Sequence, residues 1–278
     1  MSDRLYGHAT NVGRVRTHNE DCYAADPEAS IWIIADGMGG QEAGEVASAI
    51  VVESMLTSIK AGLPLDQAFA HSHQAMVNAA EGGRGDNSMG STAVVLQMKD
   101  NDYEIAWVGD SRAYLWDGAL HQLTRDHTFA QQLLDAGIIN EQEAVTHPHR
   151  NKLTRVLEAS ATSESKIERV TGTLAANEMI LLCSDGLSSH VSDDQISSIL
   201  DKNINIQEKV NHLIKAALAA GGKDNITVIL VSAKKDLLPQ AAKQSVSFSQ
   251  HRTFLWLGLL LAAALCLAAF MGWLSSSA

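Results

Sequence analysis

Apolar positions along the chain alternate between two spacings. Residues 31–35 and 179–183 are continuous apolar runs, the pattern of strands buried on both faces. Residues 5–9, 92–98, 103–108, 112–116, 120–123 and 226–231 also predict strands, and Asp117-Gly118 marks a hairpin turn between two of them. Residues 42–60 place Ala43, Val46, Ala47, Ile50, Met55 and Ile59 at helical spacing, and residues 65–80 continue as a second helix. The stretch 127–158 is more polar and helical, broken at His147-Pro148-His149-Arg150. Ser192-Asp193-Asp194-Gln195 and Asn205-Ile206-Gln207-Glu208 have the form of capping boxes, and Gly221-Gly222 stops the helix that the second one opens. There is no internal repeat and no nucleotide-binding βαβ series. The strands cluster, with helices between the clusters, which predicts an α+β domain of packed sheets with helices outside.

One segment breaks this pattern. Residues 254–274 hold 21 residues without a charge, flanked by Trp256 and Trp273. As a helix this stretch is about 31 Å long, against a hydrocarbon core of about 30 Å. It is expected to be a transmembrane helix, with residues 237–253 as a polar linker and residues 1–236 as one soluble domain. Lys243, His251 and Arg252 precede the segment, so the positive-inside bias places the domain on the cytosolic side of the cell (inner) membrane. The start, Met1-Ser2-Asp3-Arg4, has no apolar run of the secretory type. Cys22, Cys183 and Cys266 form no Cys-x-x-Cys pair, which favours a reducing compartment and argues against a structural zinc site.

Charge narrows the chemistry. The 278 residues carry 32 acids and 21 bases, a net of −11. All of the acids, and all the bases but Lys243 and Arg252, lie in residues 1–236, which therefore carry −13. A body this acidic is a poor nucleic-acid binder, because that affinity comes from Lys and Arg against phosphate. Several acids stand where predicted strands end, beside glycine: Asp36-Gly37, Gly109-Asp110 and Asp185-Gly186, with Asp224 just before the last strand. A carboxylate leaving an apolar strand is costly unless something pairs with it. Four such positions, with Glu20-Asp21 nearby, point to convergence on hard cations such as Mg²⁺ or Mn²⁺, which take oxygen ligands. Close backbone approach at Gly37 allows its carbonyl to join them. No Cys has Arg six positions on, the corresponding residues being Glu28, Ser189 and Gly272, and neither a Gly-x-Ser-x-Gly elbow nor a Gly-x-x-x-x-Gly-Lys-Ser/Thr loop is present. His127, His147 and His149 are candidate acids or ligands.

The order of motifs resembles a known family. Arg16-Thr17-His18-Asn19-Glu20-Asp21, Asp36-Gly37-Met38-Gly39-Gly40, Gly90-Ser91-Thr92, Gly109-Asp110-Ser111-Arg112, Asp185-Gly186 and Asp224-Asn225 occur in the order found in the metal-dependent type 2C protein phosphatases of bacterial form. The resemblance implies a central β-sandwich of two antiparallel sheets flanked by helices on both faces. It implies that Asp36 bridges two Mn²⁺ or Mg²⁺ ions with the Gly37 carbonyl, and that Asp185 and Asp224 hold one ion. Glu20 would serve the other, Asp21 would support that shell, and Asp110 with Asp185 would bind a third, weaker ion. Arg16 would grip the substrate phosphate, and residues 127–165 would form a variable flap. Two departures stand out. Many relatives have His where this chain has Met38, and that His is the proposed general acid; here a metal-bound water, a flap His or no acid would serve. Glu158 stands where the bacterial flap usually has Gly.

The implied activity is hydrolysis of phosphoserine and phosphothreonine in proteins, with a membrane Ser/Thr kinase or its targets as the expected partners and a monomeric chain. The alternatives are a phosphoprotein-binding scaffold on the same fold, and hydrolysis of a small phosphate ester.

Overall fold

Residues 4–40, 43–160 and 166–234 are described in this computed structural model. The chain runs β1 (Arg4–Asn11), β2 (Asp21–Asp26), β3 (Ile31–Met38), α1 (Ala43–Lys60), α2 (Leu65–Glu81), β4 (Gly90–Ser91), β5 (Ala93–Lys99), β6 (Asp102–Val108), β7 (Arg112–Trp116) and β8 (Leu120–Gln122). It continues through α3 (Phe129–Asp135), α4 (Glu141–Thr146), β9 (Leu157–Glu158), β10 (Glu168–Thr173), β11 (Met179–Cys183), α5 (Asp185–Ser188), α6 (Asp193–Leu200), α7 (Ile206–Ala219) and β12 (Ile226–Lys234). One sheet has the order β1-β12-β11-β7-β8; the other runs β10-β6-β5-β3-β4-β9, with β2 on the free edge of β3. The paired strands are antiparallel.

Three apolar layers follow from the period-2 alternation of strand side chains. Ile31, Ile33 and Ala35 of β3 pack with Ala47, Val51 and Met55 of α1. Trp32 and Ile34 point the other way, into a layer shared with Ile180, Leu182, Ile229 and Val231 of the facing sheet. Leu181 and Cys183, with Val228 and Leu230, meet Ile196, Val210 and Leu213 on the outer helices. That arrangement is helix, sheet, sheet, helix. It explains the continuous apolar runs, since both faces of β3 and β11 are covered. Each fully buried aliphatic side chain contributes about 1.5–3 kcal/mol against exposure.

The helix starts form as the sequence predicts. Ser192 accepts from the Gln195 N–H while the Gln195 side chain accepts from the Ser192 N–H, and Asn205 and Glu208 do the same at α7. The polar stretch after residue 127 holds two short helices, α3 and α4, the second ending at Thr146 just before the His147-Pro148 break. Among the described residues, five elements have no counterpart in the sequence pattern: β2, β4, β9, β10 and α5. Strand β10 (ERVTGT) is a polar edge strand carrying Gly172, so apolar content gives it no signal. Glu158 lies in β9 opposite Gly90 of β4, within ordinary strand pairing. The expected linker (237–253), the expected transmembrane helix (254–274) and flap residues 161–165 lie outside the described residues. Among the described residues no helix is long and apolar enough to cross a membrane.

Candidate metal centre

Backbone pairing brings the acidic motifs to one end of the sandwich. Asp21 and Asp36 face each other across the β2–β3 pair, and the Gly37 N–H donates to the Glu20 carbonyl at 3.0 Å. A Cβ on Gly37 would stand 1.9 Å from the Gly44 carbonyl oxygen, so only glycine permits this approach of β3 to the start of α1. Thr92 stands between β4 and β5, just before the strand predicted from 92 begins as β5, and it holds Asp36. Its N–H donates to the Asp36 carbonyl at 2.8 Å, and its Oγ1 accepts from the Asp36 N–H at 3.0 Å. The same Oγ1 lies 2.8 Å from Ser111 Oγ, next to Asp110.

From the facing sheet, β11 ends at Cys183 and delivers Asp185 as the first residue of α5. Ser184 Oγ and Thr227 Oγ1 both donate to Asp21 Oδ2, at 2.7 and 2.6 Å. Asp21 Oδ1 is buried and has no hydrogen-bond partner. Asn225 ties the residue 12–20 loop to β12: its Oδ1 accepts from the Glu20 N–H at 2.8 Å, and its Nδ2 donates to the carbonyls of Val12 and His18 at 3.0 and 2.9 Å. Arg16, on that loop, donates from Nε and Nη2 to the two oxygens of Asp224 at 2.9 and 3.0 Å, and lies 3.7 Å from Glu20.

The carboxylates are placed where their charges oppose one another. Burial, then Asp21, Asp185, Asp110 and Asp224, holds the Asp36 carboxyl well above the usual range. Burial, then Asp224 and Asp21, pushes Asp185 up to about 7, against the opposing pull of Arg16. Asp21 is pushed up to about 6 by burial, although its two hydroxyl donors and repulsion from Asp224 and Glu20 act on it in opposite senses. Asp110 is raised by burial and then by Asp185 and Asp126, and Glu20 by burial.

A pH dependence follows. Groups whose folded pKa lies above the unfolded value bind more protons when folded, so stability rises as pH falls toward them. For Asp185 at about 7 and Asp21 at about 6, the metal-free protein is expected to gain several degrees in Tm between pH 8 and pH 5. Saturating Mn²⁺ should flatten or reverse that slope. A metal-free Tm that falls over this range would contradict the arrangement.

The structure therefore brings Arg16, Glu20, Asp21, Asp36, Gly37, Asp110, Asp185 and Asp224 to one end of the sandwich, without the candidate histidines. As placed, no three acidic, His or Cys side chains among the described residues converge to hold one ion. Asp224 is turned onto Arg16 and Asp21 Oδ2 onto two hydroxyls. The supporting side chains Ser184, Thr227, Thr92 and Asn225 carry no acid, so charge alone did not nominate them. The motif order in which Thr92 and Asn225 recur was their signal. Of the histidines, His127 is buried with both ring nitrogens engaged. His147 and His149 pack on each other and on Phe129.

The protein phosphatase 2C family pattern matches residues 12–220. The chain belongs to the protein phosphatase 2C family. It is 37% identical over 238 residues to the serine/threonine phosphatase stp of Listeria monocytogenes, spanning 80% of this chain and 93% of that protein. The crystal structure of the Mycobacterium tuberculosis serine/threonine phosphatase PstP/Ppp superposes with a TM-score of 0.76 at 35% identity, covering 83% of this chain and 99% of that one. A structure of the PstP catalytic domain in complex with two manganese ions superposes at 0.72 with 34% identity, covering 82% and 97%. Membership of the family accounts for the sandwich and for the motif order together.

Proposed function

We propose that this chain hydrolyses phosphoserine and phosphothreonine in proteins at a centre of two, and at high concentration three, Mn²⁺ or Mg²⁺ ions. The observation that carries this reading is a buried set of mutually repelling carboxylates in which Asp21 Oδ1 lacks any partner. Oxygen donors of net negative charge fit hard divalent cations. Asp36 and the Gly37 carbonyl would hold two ions jointly, Asp185 and Asp224 one of them, Glu20 with Asp21 the other, and Asp110 with Asp185 the third.

Bound ions supply Lewis acidity toward water and toward the phosphoryl oxygens. The chain's own groups do the rest. Ser184 and Thr227 fix the Asp21 carboxylate through Oδ2, leaving its buried Oδ1 without a partner and open to a cation. Arg16 holds Asp224 through two parallel N–H donors, the same fork that suits a phosphate. Ligation by Asp224 would release that fork for the substrate. Met38 has no proton to give, and His127 is committed at both nitrogens, so the departing alkoxide would take its proton from water or from His147 or His149 of the flap. The names of the relatives, serine/threonine phosphatases, support the substrate class.

The reading includes a tether: residues 254–274 would anchor the domain to the cytosolic face of a membrane, close to a membrane Ser/Thr kinase or its targets. The uncharged 21-residue run and the bases before it support this. One experiment tests both parts. The full chain should release phosphate from a phosphothreonine peptide with Mn²⁺ and not with a chelator, and should partition with membranes. The chain truncated after Asp236 should stay soluble and keep its turnover within about twofold. Turnover indifferent to chelator would contradict the metal reading. An inactive or unfolded truncation would make the segment part of the domain.

A further inference from the structure

Asp110 sits on the short connection between β6 and β7, and Asp126 and His127, where the flap begins, grip that connection on both sides. On one side Asp126 accepts from Arg112 Nε at 2.9 Å and from Nη2 at 2.7 Å. On the other, the His127 N–H donates to the Gly109 carbonyl at 2.9 Å, and the Gly109 N–H donates to His127 Nδ1 at 3.1 Å. An amide N–H can only donate, so Nδ1 carries the lone pair and Nε2 the hydrogen. Nε2 faces Glu168 Oε1 at 3.2 Å, which fixes that tautomer. The ring stacks on Trp107 with centroids 6.4 Å apart, and the imidazole is buried. Gly109 has φ near 102° and packs against Thr92, so only glycine fits this turn.

We propose that His127 is a positioning residue that holds the Asp110 carboxylate in the cleft by clasping Gly109. The effect on ion binding rests on the proposed role of Asp110; the clasp itself does not.

Two substitutions at one position separate the roles of the two nitrogens. Asn places an oxygen acceptor where Nδ1 stands, whereas Gln reaches the Nε2 position and leaves the Gly109 N–H without a partner. In the full chain, amide hydrogen exchange over Gly109–Ser111 and Mn²⁺ binding by electron paramagnetic resonance are measured for wild type, His127→Asn, His127→Gln and Asp110→Asn. Thermal unfolding checks that each is folded. His127→Gln is expected to raise exchange of the Gly109 amide by at least ~10-fold and to weaken the weakest Mn²⁺ by ~10-fold, the scale of one hydrogen bond. His127→Asn should keep Gly109 protected. Equal protection in wild type and a folded His127→Gln would overturn the clasp. If Asp110→Asn binds Mn²⁺ as wild type does, the ion assignment of Asp110 fails by itself, and the exchange data alone decide for or against the clasp.

Discussion

Substitution of Asp36 by Asn is expected to lower Mn²⁺-dependent phosphate release from a phosphothreonine peptide by at least ~10³-fold. Asp36 is the carboxylate on which four other acids, Asp21, Asp185, Asp110 and Asp224, converge electrostatically, and Asn keeps its shape while removing its charge. The same change should leave the metal-free protein as stable as wild type at pH 7.5, or more so. Burial and repulsion from Asp21, Asp185, Asp110 and Asp224 all oppose the ionised form of Asp36, so neutralising it relieves a cost in the folded state. Loss of activity together with unchanged or higher Tm marks a site kept for function at the expense of stability. A variant that is merely unfolded, or that turns over normally, would contradict the placement of Asp36 at the centre.

The second large effect is expected at Gly186. A Cβ there would stand 1.9 Å from the Asn225 carbonyl oxygen, which is backbone and cannot swing aside. Gly186→Ala must therefore push α5 away from the start of β12, separating Asp185 from Asp224. Overpacking of this kind costs ~3 kcal/mol or more, about 10 °C in Tm for a domain of this size, and activity should be lost with it. Gly40→Ala is the control, since a Cβ at Gly40 meets nothing within 4 Å. Equal thermal stability of the two variants would mean that the Gly186–Asn225 contact does not constrain the cleft.

Much of the fold was legible because both faces of its central strands are covered. That burial makes residues 31–35 and 179–183 continuous apolar runs, and the capping boxes at Ser192 and Asn205 are purely local. The acids were legible for a related reason: Asp36 and Asp185 closely follow the buried apolar runs 31–35 and 179–183, where charge is conspicuous. What the sequence hid depends on partners far along the chain. Asp21 takes its hydroxyl donors from residues 184 and 227, and Asn225 reaches back to Val12, His18 and Glu20. Strand β10 has no apolar pattern because it lies at a sheet edge. The pairing of Arg16 with Asp224 was equally invisible, since the motif resemblance assigned Arg16 to substrate phosphate.

The central claim is that these carboxylates form one polynuclear cation site with Asp36 shared. Anomalous diffraction from crystals soaked in Mn²⁺ tests it most directly. The expected map has two manganese peaks, each within ligating distance of an Asp36 oxygen, with Asp185 and Asp224 on one and the Gly37 carbonyl at hand. Manganese bound away from Asp36, or a single peak that Asp36 does not touch, would contradict it.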